Sequence, residues 1–258
     1  MNPSKTHSHS LATLLVGVTL ALPALGDYAN DFSGKNDADF TRYSPLAGFG
    51  AGGVFAFPAS GGYSISALAS PAPGQLGPAR AGAFLTGQTY GDFTISYQIQ
   101  GFSTANSQFM GVFGRVSSPG LGTLTGYAMG LDTTTSQLFI SRVQGEVSQG
   151  PIGPSAVSAA LTLSATETYS LSFTAVGSSF TGSISDRTGT ELARISGTDS
   201  TFTSGQVGFG IAAQTLAAGA TAQATFGNLQ VAAVPEPSTW ALAGLGFGLL
   251  GWNLRRRV

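Results

Sequence analysis

The stretch Phe93-Thr-Ile-Ser-Tyr-Gln-Ile99 places an apolar residue at every second position, with Thr94, Ser96 and Gln98 between. Side chains along a strand point alternately to opposite faces, so this period marks a strand with one face buried and one wet. It returns at Tyr169, Leu171, Phe173 and Ala175, and again over 179–185, where Phe180, Gly182 and Ile184 share a face. Further strands are expected over 108–116, 127–131, 137–143, 191–196, 206–213 and 221–231. Turn chemistry separates them: 132–136 links two strands as a hairpin, Gly177-Ser178 makes a tight connection, and Asp186-Arg-Thr-Gly189 ends on the glycine a turn favours. No stretch between these strands has helical spacing. Composition agrees, since only 9% of residues are charged, against about 25% in ordinary domains, and exposed helices lean on Glu, Lys and Arg. Short strands at this spacing predict an all-β fold, an antiparallel sandwich over 27–231. Residues 44–83, rich in Gly, Ala, Ser and Pro, are expected to mix irregular strands with surface loops. No repeat of fixed period is present, which argues against a solenoid or propeller.

Both ends of the chain read as targeting segments. Residues 1–26 carry Lys5, an apolar run over 11–25 and a small-x-small site before Asp27, which predicts a secretory signal peptide cleaved between Gly26 and Asp27. The run is short and broken by Pro23, which disfavours a permanent anchor. At the other end, "VPEPSTWALAGLGFGLLGWNLRRRV" holds Pro235, Glu236 and Pro237, an apolar segment predicted as a single transmembrane helix over 239–254, and Arg255, Arg256 and Arg257. Fifteen residues from Trp240 make about 22 Å of helix, short of a hydrocarbon core of about 30 Å. Trp240 and Trp252 lie near its two ends, where indoles prefer the interface, and the three arginines belong on the cytoplasmic side. The Pro-Glu-Pro would then face outward, with the exported domain.

The whole tail, motif, short apolar helix and arginine cluster in that order, resembles the PEP-CTERM sorting signal of Gram-negative bacteria. The resemblance implies an exported protein, held at the inner membrane through its C-terminal helix and then processed near the motif by an exosortase, a membrane protease-transpeptidase. Pro235, Glu236 and Pro237 would be recognised as substrate, and the product would reach the cell surface or the exterior. Such proteins are associated with exopolysaccharide and biofilm. The second half of the domain, "ETYSLSFTAVGSSFTGSISDRTGTELARISG", then "SGQVGFGIAA", then "ATFGNLQV", resembles the closing strands of concanavalin A-like lectin/glucanase jelly rolls. That resemblance covers 93–231 and implies a jelly-roll sandwich.

Residue types limit the chemistry. The chain has no cysteine, and its two histidines, His7 and His9, lie in the signal segment. A Ser-His-Asp triad, a Cys-His pair and a His-ligated metal are therefore excluded from 27–231. Lys35 reads as solvated surface. Carboxylates remain, but a hydrolase of this fold needs acids paired across a cleft, and the glucanase-like Glu-x-Asp-x-x-Glu is absent. Asp37 and Asp39 are spaced by two without a third acid, and Asp186 and Glu191 flank a turn. Asp31, Asp37 and Asp39 could supply oxygen to Ca²⁺, yet their spacing fits no ligand template and a polar surface is the favoured reading. Between Asp27 and Val234, Lys35 and six scattered arginines face eleven carboxylates, so no basic patch exists and nucleic-acid binding is disfavoured. Tyr43, Tyr63, Tyr90 and Tyr127 could form a sugar platform or equally pack in the core. The expectation is a non-enzymatic surface or exopolysaccharide-matrix protein needing no cofactor. A lectin-like glycan-binding module is the alternative, and a degenerate polysaccharide hydrolase the third reading.

Overall fold

The structure, a computed structural model, describes residues 27–234. The expected signal peptide with its expected cleavage site after Gly26, the motif Pro235–Glu236–Pro237, the apolar segment 239–254 expected as a transmembrane helix, and Arg255, Arg256 and Arg257 lie outside the described residues. Among those described, no helix is long and apolar enough to cross a membrane.

Five strands precede Phe93: β1 (Tyr28–Asn30), β2 (Phe40–Tyr43), β3 (Gly53–Ala56), β4 (Tyr63–Leu68) and β5 (Ala79–Leu85). Ten follow: β6 (Phe93–Gln100), β7 (Ser107–Ser117), β8 (Thr125–Asp132), β9 (Gln137–Gln144), β10 (Val147–Pro151), β11 (Tyr169–Val176), β12 (Ser179–Ser185), β13 (Glu191–Thr198), β14 (Gln206–Thr215) and β15 (Thr221–Ala233). One α-helical turn, Pro73–Leu76, and two 3-10 turns complete the described elements. The strands form two antiparallel sheets. One runs β13-β12-β11-β6-β15-β4-β3 with β1 also on β15, and the other runs β10-β9-β8-β7-β14-β5-β2.

The alternating strands behave as their period dictates. On β6 the residues Phe93, Ile95, Tyr97 and Ile99 are buried, and on β11 so are Tyr169, Leu171, Phe173 and Ala175. They meet Met110, Val112, Met129, Leu131, Ile140 and Phe209 from the other sheet in one core. Phe209 and Phe226 join the sheets with ring centroids 4.9 Å apart. Tyr63, Tyr90 and Tyr127 are fully buried, so core packing, and no sugar platform, is their place. The segment 44–83 is more regular than its composition suggests. β5 lies inside the sheet between β14 and β2 and is buried at every position, which removes the alternation that would have revealed it. The last strand continues to Ala233, two residues past the expected end.

Four glycines from four strands sit directly opposite one another across the second sheet: Gly82 on β5, Gly210 on β14, Gly111 on β7 and Gly130 on β8. A β-carbon on Gly111 would lie 2.2 Å from the Met129 carbonyl oxygen, and one on Gly130 would lie 2.2 Å from that of Met110. The neighbouring backbone occupies the space a side chain would need, so the strands close toward each other on this face. Gly111→Ala should therefore lower stability by about 1–3 kcal/mol through overpacking, seen as a fall of roughly 3–10 °C in thermal midpoint by circular dichroism. Gly48→Ala, where a β-carbon meets nothing within 4 Å, should leave the midpoint unchanged.

Candidate functional site: a groove on the glycine-rich sheet

Phe109 and Phe113 flank Gly111 on the outward face of β7. Four residues of strand separate their backbones by about 13 Å, yet their ring centroids are 5.9 Å apart. The rings lean together over Gly111, where no side chain stands. Phe139, opposite Gly130 on β9, joins them with its centroid 5.3 Å from that of Phe109. The glycine row thus carries a half-buried aromatic floor. Above it lies a groove of about 390 Å³, mainly apolar, whose polar edge includes Ser107, Asp132, Gln137 and Gln214.

One side of the groove is closed by a strap. The turn between β9 and β10 brings Glu146 across β8, β7 and β14 to Arg80 on β5. Arg80 Nε and Nη2 each donate to one carboxylate oxygen of Glu146 at 2.7 Å, and Arg80 Nη1 donates to the carbonyls of Pro78 at 2.6 Å and Leu76 at 2.9 Å. The Tyr43 hydroxyl and the Gly122 N–H also donate to Glu146. Both charged side chains are nearly out of solvent, at 6% and 7% exposure. Burial pushes the Glu146 carboxyl up, the Gly122 N–H opposes it, and burial also lowers the Arg80 guanidinium. Beneath the strap Tyr43, Phe84, Val116, Leu124, Ala128 and Val143 form a second, smaller core, against which Phe109 and Phe113 pack, and Tyr43, Leu124, Ala128 and Val143 also line the groove. Of the four tyrosines singled out from sequence, only Tyr43 lines the groove.

The remaining acids are not gathered for chemistry. Among the described residues no three His, Asp or Glu side chains stand close enough to hold a metal ion. Asp31 accepts the Ser33 N–H at 2.9 Å, which lowers its carboxyl. Burial works against ionised Asp37, but bonds from Arg42 at 2.7 Å and from Tyr63 outweigh it, and its carboxyl stays below the ordinary value. Asp39 accepts from the Tyr28 hydroxyl at 3.2 Å. The oxygens offered to calcium are thus engaged separately. Asp186 folds its own turn, accepting from Thr188 and Thr190, and Glu191 pairs with Arg194. Lys35 is exposed, as expected.

Residues 233–257 match the family model described as PEP-CTERM protein-sorting motif. The chain carries a sorting signal of the kind that marks an exported, exosortase-processed protein held transiently at a membrane. No curated protein is similar enough in sequence to count as a match. Solved structures with the same architecture include the carbohydrate-binding module CBM66 from Bacillus subtilis, 16% identical with a TM-score of 0.52 over 77% of this chain and 98% of that one. Lectin II from Ulex europaeus is 11% identical with a TM-score of 0.54, over 81% and 98%. The Bacillus licheniformis beta-glucanase is 13% identical with a TM-score of 0.53, over 81% and 99%. Identities this low establish the fold, a jelly-roll sandwich of the lectin and glucanase type.

The strap gives a direct test. Glu146→Ala strands a buried guanidinium and should cost about 3–5 kcal/mol, whereas replacing both partners, Arg80→Met with Glu146→Met, should recover most of the loss. Chemical denaturation of the two variants beside the wild type measures this.

Proposed function

We propose that the chain is an exported, exosortase-processed surface protein of the extracellular matrix of a Gram-negative bacterium. In this reading it holds polysaccharide in the groove and catalyses no reaction on it. The observation that carries the reading is the aromatic floor on the glycine row. Sugar rings present apolar C–H faces that pack on aromatic side chains, while their hydroxyls need partners such as Ser107, Gln137 and Gln214 at the groove edge. Carbohydrate-binding and lectin structures of the same fold support it as analogy only, because a fold hosts many functions.

The electrostatics favour an uncharged polymer. Arg80 is the cation at the groove and is spent on Glu146, so nothing there neutralises an acidic chain. A non-catalytic role is supported by the same pairing. Glu146 faces a guanidinium and accepts from four donor atoms, Arg80 Nε and Nη2, the Tyr43 hydroxyl and the Gly122 N–H, and Asp132 accepts the Thr134 N–H at 2.7 Å. Both acids are thus engaged within the protein itself.

Two measurements test this. Intact mass of the mature protein from exosortase-bearing cells should lack Trp252 and the terminal arginines, and mature protein retaining them would overturn the sorting claim. In affinity electrophoresis the protein should be retarded by a neutral β-glucan more than by alginate, without releasing reducing ends. Phe139→Ala should weaken retention about tenfold, equivalent to 1.4 kcal/mol. Equal mobility in every polysaccharide would leave a purely structural matrix role.

A further inference from the structure

β1 pairs antiparallel with the far end of β15, Tyr28 opposite Val231 and Asn30 opposite Leu229. Asp27 and Val234 therefore emerge side by side at one pole of the sandwich. On its other flank β15 stays paired with β6, Ala232 opposite Thr94 and Ala233 opposite Phe93. The Val234 N–H then donates to the Asp92 carbonyl oxygen at 3.1 Å. Asp92 is itself pinned, since its carboxylate accepts Arg115 Nη2 at 3.2 Å and the Gly177 N–H at 2.8 Å. Pro235, the first residue of the motif, follows Val234 by a single peptide bond. The sorting motif begins where the strand ladder ends.

A peptidase takes its substrate as an extended chain with residues on both sides of the cleaved bond, so residues before Pro235 must also leave the sheet. They are held with unequal strength. Val231 is 1% exposed and paired with both β1 and β6. Ala232, Ala233 and Val234 are only partly buried, and their backbone bonds run to the β6 side alone. Opening from the end is cheap as far as Ala232 and stops at Val231, because fraying follows low burial and one-sided pairing.

We infer that fraying of Ala232–Val234 from Phe93 and Thr94 is the step that admits the sorting motif to its processing enzyme. The pole bearing both chain ends is then the face the folded domain turns toward a membrane-embedded peptidase with an extended cleft. The inference rests on the proposed exosortase processing. It makes processing depend on the strand end as well as on the motif.

The test uses the full chain in cells with and without an exosortase, following tail removal by intact mass after a pulse of synthesis. Thr94→Cys with Ala232→Cys places two thiols directly opposite in the ladder, and the chain has no other cysteine to compete. The oxidised variant should retain its tail about tenfold longer than wild type, and dithiothreitol should restore processing. The same variant with a six-residue Gly-Ser insert between Val234 and Pro235 should be processed without reductant, showing that the locked domain is folded and exported. Oxidised chain that loses its tail at the wild-type rate overturns the inference, as does an insert variant that stays unprocessed. Wild-type chain that keeps its tail despite the exosortase, or loses it equally without one, overturns the processing reading itself.

Discussion

Backbone packed against backbone along Gly82, Gly210, Gly111 and Gly130 shapes the functional face of this molecule. Each residue stands where the carbonyl of an adjacent strand fills the place of a β-carbon. Any other residue type would force the neighbouring backbone to shift. The row also leaves a strip without side chains. Phe109, Phe113 and Phe139 lean into that strip, and their rings become a floor where they could have stood as separate exposed apolar groups. The strap from Glu146 to Arg80 lines the same groove. The aromatic surface and the groove above it both follow from the same four missing side chains.

A second constraint ties this sheet to the exit of the chain. β7 carries a bulge, because Gln206 opposes Val116 while Gly208 opposes Phe113. Arg115 sits in it at a φ of 52°, a left-handed conformation uncommon outside glycine. The bulge turns the arginine inward, where it is 2% exposed. It donates to the Gly91 carbonyl at 2.8 Å and the Phe202 carbonyl at 3.0 Å, and lies 5.1 Å from the Phe180 ring centroid. Removing one partner of so buried a pair leaves an uncompensated charge. The residue it pairs with, Asp92, is the one whose carbonyl receives Val234. One ion pair therefore anchors both the groove-bearing sheet and the point at which the sorting signal begins.

How much of this was legible from sequence varied with the element. The periods of three strands wet on one face give their limits, β12 as observed and β6 and β11 to within a residue. β4 alternates equally, but inside the segment 44–83, whose composition points to irregular strands and loops. β5 and β10 were not seen, for opposite reasons. β5 is covered on both faces, so its buried positions show no alternation, while β10 is a largely exposed edge strand with nothing to bury. The tyrosines drew attention as possible sugar contacts, but three of the four belong to the core. The rings that floor the groove are phenylalanines, and their signal was present though faint. In Phe109-Met-Gly-Val-Phe113 both faces of the strand are apolar, which a strand with one wet face does not allow.

The sequence by itself determined the strand periods, the sorting motif, and the lack of histidine and cysteine between residues 27 and 234. Each of these is a local property, written in neighbouring residues or in composition. Only the tertiary structure decided that four glycines from four strands fall into one row. It likewise decided that Glu146 finds Arg80 and that β1 closes on β15 so both chain ends leave one pole. Those outcomes depend on strand order and register, set by packing between segments far apart in the chain, and no local pattern encodes which strand will lie beside which.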